Sequence, residues 1–262
     1  MSALDKVLTL DPVSETHFRA HVTEDWMQGR TTYGGLSSAL ALAAAKQAFP
    51  GEQPLRSAQV SFVGPVAGEC DIVVRQVRES KSSRFIMAEV TSESGYGTHA
   101  LFTFSNARES HVDHGNLPMP TIVAPESLEP LPFHPMRPAF TRHFDMRPST
   151  GPELRMAQDE ADILCWVRFQ ELPESDVDVS LLALGDALPP AALSLFRQFG
   201  PISSMNWTVH MLADQPQTND GWWLLHTRAE HTRRGFSVQE MTVWNSDGEA
   251  IARGGQGVGI FV

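Results

Sequence analysis

The side chains of this 262-residue chain with the widest chemical reach are its ten histidines, two cysteines and 31 acidic residues. His17/His21 and His111/His114 are spaced like metal ligands on one element. No His-Glu-x-x-His sequence or Cys/His set accompanies them, so they read as solvated surface residues. Cys70 and Cys165 sit in alternating apolar stretches and read as small buried strand residues rather than a disulfide or redox pair. There is no Gly-x-Ser-x-Gly nucleophile elbow and no phosphate-binding loop. The tail from Gly254 to Gly259 is glycine-rich, but its spacing is wrong for a dinucleotide site and no helix pattern follows it. Asp186, in Gly185-Asp186-Ala-Leu-Pro189-Pro190, is a carboxylate beside an apolar helix pattern. It has two readings: a base at a pocket, or a tie for the helix end and the Pro-Pro turn.

Composition narrows the partners. Twenty Lys+Arg against 31 Asp+Glu give a net charge of −11. That sign disfavours nucleic acid and anionic membranes, although it does not forbid a local basic pocket. Trp166, Trp207, Trp222, Trp223 and Trp244 lie in strand-like segments without interleaved basic residues. They read as core or interface packing. The start, MSALDKVLTLDP, has no basic region followed by an apolar run, and the longest apolar stretch, Leu36 to Ala45, is too short to span a bilayer. A cytoplasmic protein with no membrane association is expected.

These residues need elements to position them. Gly34 to Phe49 is rich in Ala and Leu and free of internal Pro, which predicts a helix stopped by Pro50-Gly51. It is apolar almost all round, hence buried. Strands are predicted at His17–Thr23, Leu55–Val63, Glu69–Arg78, Arg84–Ser92 and Thr98–Ser105. Residues 106–152 are proline-rich and read as a surface-crossing linker. Then the order repeats. Strands are predicted at Phe140–Met146 and Ile163–Glu171, a helix at Asp178–Leu188, and a further turn through Ala191–Gln198. Strands follow at Ser203–Met211, Gly221–Glu230, Phe236–Asn245 and Glu249–Phe261.

The repeat predicts an α+β chain, a tandem (double) hotdog in which each half is a long buried helix wrapped by a curved antiparallel sheet. The expected boundaries are 1–107 for the first half, 108–139 for the linker and 140–262 for the second. Each sheet edge is expected to find its partner in the other copy.

Tyr33-Gly34-Gly35 at the head of the first helix and Gln59-Val-Ser-Phe62-Val-Gly-Pro65 resemble the first half of the acyl-CoA thioesterase II family. Ser204-Met-Asn206-Trp, Arg234-Gly235-Phe236, Asp247-Gly248 and Gln256-Gly257-Val258 resemble its second half. The resemblance covers most of the chain and fails across the linker. It implies hydrolysis of fatty acyl-CoA without metal or other cofactor, and a homo-oligomer, most simply a dimer. The Trp content of the second-half strands points the same way, since aromatic residues are enriched at interfaces.

The family activates water with an Asp, a Thr or Ser, and a Gln. Gln256 matches the Gln and Thr232 the hydroxyl, with His231 beside it. The Asp is replaced by Asn206, and a neutral amide is no base near pH 7. The resemblance therefore implies Asn206, Thr232 and Gln256 converging on one water, with His231 or Asp186 as the possible base. The Gly34 and Gly35 amides would supply the oxyanion donors, and the acyl chain would lie along the helix–sheet seam. Two alternatives stay open. One is a non-catalytic acyl-binding hotdog, favoured by the lost Asp and opposed by the retained Gln. The other is a hotdog hydratase or dehydratase, whose Asp–His pair has no matching motif here.

Overall fold

The computed structural model describes every residue except 133, 152–155 and 199. The first half opens with a short helix α1 (Ala3–Val7) and strands β1 (Asp11–Ser14) and β2 (His17–Val22). A two-stranded hairpin follows, β3 (Met27–Gln28) and β4 (Thr31–Thr32). Then come α2 (Gly34–Ala48) and four strands, β5 (Leu55–Phe62), β6 (Gly68–Glu79), β7 (Ser83–Ser92) and β8 (Gly95–Ser105). The second half has β9 (Phe144–Pro148), β10 (Asp162–Phe169), α3 (Val177–Gly185), β11 (Ile202–Met211), β12 (Trp223–Arg233), β13 (Phe236–Asn245) and β14 (Ala250–Ile260).

Twelve strands form one antiparallel sheet in the order β1-β2-β6-β7-β8-β5-β11-β14-β13-β12-β10-β9. In each half the strand after the long helix pairs with the last strand of the half, β5 with β8 and β11 with β14, and the rest is a meander. The halves join where β5 pairs with β11, Asn206 opposite Ser61 and Thr208 opposite Gln59. Only one edge of each half is thus covered by the other. The expectation that every edge finds a partner fails, because the sheet stays open at β1 and β9.

α2 is buried along most of its length, as an Ala- and Leu-rich helix without a polar face must be. Leu36, Leu40, Ala41, Ala58, Ala100 and Phe102 are fully buried around it. Its last turn is closed by Phe49 N–H donating to the Ala45 carbonyl, and Arg84 Nη1 donates to the Phe49 and Pro50 carbonyls. α3 is shorter than expected. It ends at Gly185 with Asp186 as its cap residue, because Pro189 and Pro190 cannot continue a helix. The strand expected at Phe140–Met146 starts only at Phe144, because Pro138 first sets a 3₁₀ turn over Ala139–His143.

The linker is a strap over the second half. Met119, Ile122 and Leu128 pack on Trp166, Trp222, Leu224 and Trp244. Trp166 Nε1 donates to the Val123 carbonyl (3.1 Å) and Trp244 Nε1 to the Leu117 carbonyl (2.9 Å). The Arg168 and Arg147 guanidiniums lie over the Trp222 ring at 4.4 and 5.0 Å. Trp207 and Trp223 belong to the main core. Trp166, Trp207, Trp222, Trp223 and Trp244 are all buried by this chain itself, Trp222 just ahead of β12, so they give no reason to expect an interface with another.

Candidate active site

The two long helices run antiparallel, with the start of α2 against the end of α3. Tyr33 Oη donates to the Ala183 carbonyl at 2.8 Å, and the Tyr33 ring stacks on Phe140 at 3.9 Å. At the other end Lys46 Nζ bridges Asp176 and Asp178 at 2.6 and 2.7 Å. Two glycines permit the close contact. A Cβ on Gly35 would meet the Ala183 carbonyl and the Tyr33 ring at 2.6 Å. A Cβ on Gly34 would meet Asp186 Oδ2 at 2.7 Å and the Phe62 ring at 3.0 Å. Gly34 is therefore the residue that lets Asp186 lie against the first turn of α2.

Asp186 belongs to a chain of hydrogen bonds with a fixed direction. The Ala191 N–H donates to Gln239 Oε1 (2.7 Å), and a backbone N–H can only donate. Gln239 must then present its NH₂ to Gln256 Oε1 (3.0 Å), which also accepts from Ser204 Oγ (3.2 Å). Gln256 Nε2 is left to donate to Asp186 Oδ1 at 2.5 Å. Oδ1 is committed as an acceptor, so a proton taken up by the carboxylate goes to Oδ2, the oxygen lying over Gly34. Burial pushes the Asp186 carboxyl up to about 7, against the lowering effect of the Gln256 amide and the Gly35 N–H.

Asp186 lines a cavity of about 290 Å³. Gly34 and Ser37 of α2, Phe62, Thr98 and Ser204 line it as well, and the hairpin residues Gln28 and Arg30 form its rim. Arg30 is exposed and forms no ion pair among the described residues.

The expected trio does not converge. Asn206 stands opposite Gly257, while Gln256 stands opposite Trp207. One residue of offset turns the side chains to opposite sheet faces. Asn206 is exposed, and its Oδ1 accepts from the Gly257 N–H at 3.2 Å. His231 falls in the same outer row, opposite Val238, which is opposite Gly257. Thr232 does share the inner face, but two strands away, where it bonds Ser237 Oγ at 2.9 Å. The Gly35 N–H serves Asp186, whereas Gly34 faces the cavity. What the fold brings together is Asp186, Gln256, Gln239 and Ser204. Gln239 was missed by sequence reasoning. Its signal was a polar residue at an inward position of β13, flanked by exposed Val238 and half-buried Glu240.

The histidine pair of β2 is committed to carboxylates, His17 to Asp71 at 2.8 Å and His21 to Glu69 at 2.6 Å. Cys70 and Cys165 are free and buried, and burial pushes the Cys70 thiol up to about 11. Among the described residues no group of three or more His, Cys, Asp or Glu is placed to hold a metal ion. No described helix is long and apolar enough to cross a membrane.

Two family models match the chain, the acyl-CoA thioesterase N-terminal domain over residues 22–105 and the acyl-CoA thioesterase C-terminal domain over 125–260. The chain belongs to this acyl-CoA thioesterase family. A hot dog fold protein of unknown function from Alicyclobacillus acidocaldarius superposes with a TM-score of 0.87 at 22% identity, covering 100% of this chain and 99% of that one. The tesB protein of Mycobacterium avium subsp. paratuberculosis gives 0.81 at 18% identity, covering 99% and 98%. The acyl-CoA thioesterase II TesB2 of Mycobacterium marinum gives 0.77 at 16% identity, covering 98% and 97%. At these identities the solved structures establish the hotdog fold. No curated protein matches the chain.

Proposed function

We propose that this acyl-CoA thioesterase family member hydrolyses an acyl-CoA thioester at the α2–α3 junction, with Asp186 as general base. The observation that carries this is the Asp186 carboxylate, which has one oxygen locked by Gln256 and the other beside the cavity. Its carboxyl titrates near 7, close to the optimum for a base at neutral pH. Asp186 thus takes the part that the Asn206 position cannot.

In this reading the thioester carbonyl sits at Gly34, whose N–H is one of the orphan donors of the α2 N-terminus. A water beside Asp186 gives its proton to Oδ2 as its oxygen bonds to the carbonyl carbon. The tetrahedral intermediate then collapses, the C–S bond breaks, and the proton passes from Oδ2 to the departing sulfur. The products are a carboxylic acid and CoA. Gln256 and Gln239 hold the carboxylate in place without taking protons. Exposed Arg30 at the rim suits the phosphates of CoA.

The matching strand orders support two copies of one hotdog unit, 1–107 and 140–262, with 108–139 as the strap. A hydratase reading lacks support, because no histidine is among the described cavity-lining residues. The test is thiol release from a panel of acyl-CoA thioesters by the wild-type protein and by Asp186→Asn. Hydrolysis by the wild type and its loss in the variant support the proposal. Binding without hydrolysis would favour a non-catalytic acyl-CoA-binding role.

A further inference from the structure

The cavity beside Asp186 restricts the acyl group that can react there, and this inference rests on the thioesterase reading. A volume of about 290 Å³ is at the bottom of the range for small-molecule sites, roughly 300–1,000 Å³. It must hold the thioester and the end of its thiol carrier as well as the acyl group. On α2 the lining stops at Ser37, one turn below Gly34. Beyond it the helix–sheet seam is filled by Leu36, Leu40, Ala100 and Phe102, none more than 1% exposed. The apolar slot expected along the seam is therefore closed. Phe62 stands across from Gly34 and pairs with Thr98.

The floor is also polar. Ser37 and Thr98 are 3% and 2% exposed, and both line the cavity. A buried hydroxyl facing a cavity is costly to leave against a methyl group and favourable against an oxygen.

We infer that the substrate is a thioester of a short acyl chain carrying a hydroxyl or keto oxygen, with Phe62 limiting chain length and Ser37 and Thr98 reading the oxygen. A site that hydrogen-bonds a substrate oxygen discriminates against the analogue lacking it more strongly than an apolar pocket discriminates a methylene.

The experiment measures kcat/KM for 3-hydroxybutyryl-, butyryl-, hexanoyl- and palmitoyl-CoA. In parallel it measures equilibrium binding of the matching non-hydrolysable CoA thioethers. The expected order is 3-hydroxybutyryl above butyryl by about tenfold or more, with palmitoyl lowest. Phe62→Ala and the milder Phe62→Leu should raise hexanoyl relative to butyryl. Ser37→Ala and Thr98→Val should each erase the hydroxyl preference, read within each variant as the ratio of kcat/KM for 3-hydroxybutyryl-CoA to that for butyryl-CoA. Palmitoyl turnover or binding equal to that of butyryl would overturn the size limit. Equal values for butyryl and 3-hydroxybutyryl would overturn the polar reading. Selective binding of the short hydroxyacyl thioether without hydrolysis of any thioester would overturn the enzyme reading while supporting the size and polarity limits of the cavity as those of a binding site. Binding of no thioether would overturn this inference, and turnover in that case would leave the thioesterase reading standing.

Discussion

Gln256 Nε2 donates to Asp186 Oδ1 at 2.5 Å, linking the last strand of the sheet to the residue that caps the second long helix. The two residues are 70 positions apart and come from different elements. Their direction of hydrogen bonding is set two side chains away, by the Ala191 N–H that orients Gln239. A carboxylate held this way has Oδ1 committed to the Gln256 amide, while Oδ2 lies at the start of α2.

The pH dependence of turnover follows from Asp186. Burial raises its carboxyl to about 7, and the base must be ionised to accept a proton from water. kcat/KM should therefore rise with pH and level off above about 7. Asp186→Asn should lower kcat by roughly 10²–10⁴-fold, the usual contribution of a positioned base, and remove the rise. A wild-type profile that is flat between pH 5 and pH 9 would remove Asp186 from the mechanism.

Gln256→Ala should act on both rate and pH profile. The amide favours the charged carboxylate, so its loss should move the Asp186 titration further up. kcat at neutral pH should fall by about 10–1000-fold, with part of the loss recovered at higher pH. Gln239→Leu should give a weaker version of the same shift, because Gln256 keeps its bond to Ser204. A rate loss with no change in the profile would mean that Gln256 merely fills space.

Asn206→Asp should leave turnover unchanged. The resemblance places this residue where the family has its acid, but β11 carries a bulge between Ser204 and Asn206, and the side chain points outward. An acidic oxygen there can still accept from the Gly257 N–H, so stability should hold too. Activity that rises several-fold in this variant would restore Asn206 to the site.

Most of the long strands, both long helices and the proline-rich strap were legible because each rests on local signals, whereas β1 (Asp11–Ser14) was not expected. Alternation marks β5 to β8 and β11 to β14, the Ala/Leu run marks α2, and Pro189-Pro190 sets a limit that α3 stops short of, at Gly185. The candidate site was legible only in part. Gln256 and Asp186 were singled out separately, but their contact is a long-range packing event with no sequence period. Asn206 was placed wrongly because a one-residue bulge reverses which face a strand residue occupies. Gln239 was overlooked because an inward polar residue in a strand has no partner until the third dimension supplies one. The hairpin of β3 and β4, with two residues in each strand, was too short to leave an alternating pattern.

Stability should carry the signature of the same carboxyl. The folded-state value of Asp186 lies above its unfolded value of 3.8, so the folded state holds its proton more tightly than the unfolded chain. The favourable contribution of this group is complete below about pH 3.8, declines as pH rises, and is lost once pH passes about 7. Asp186→Asn cannot ionise and has no such dependence. The Tm difference, variant minus wild type, should therefore grow in the variant's favour between about pH 4 and pH 8 and then level off. Comparing the two proteins in one scan series cancels the other titrating groups. A difference that stays constant over this window would mean that Asp186 titrates alike in the folded and unfolded chain, and a carboxyl of that kind would not be the near-neutral base that the cavity requires.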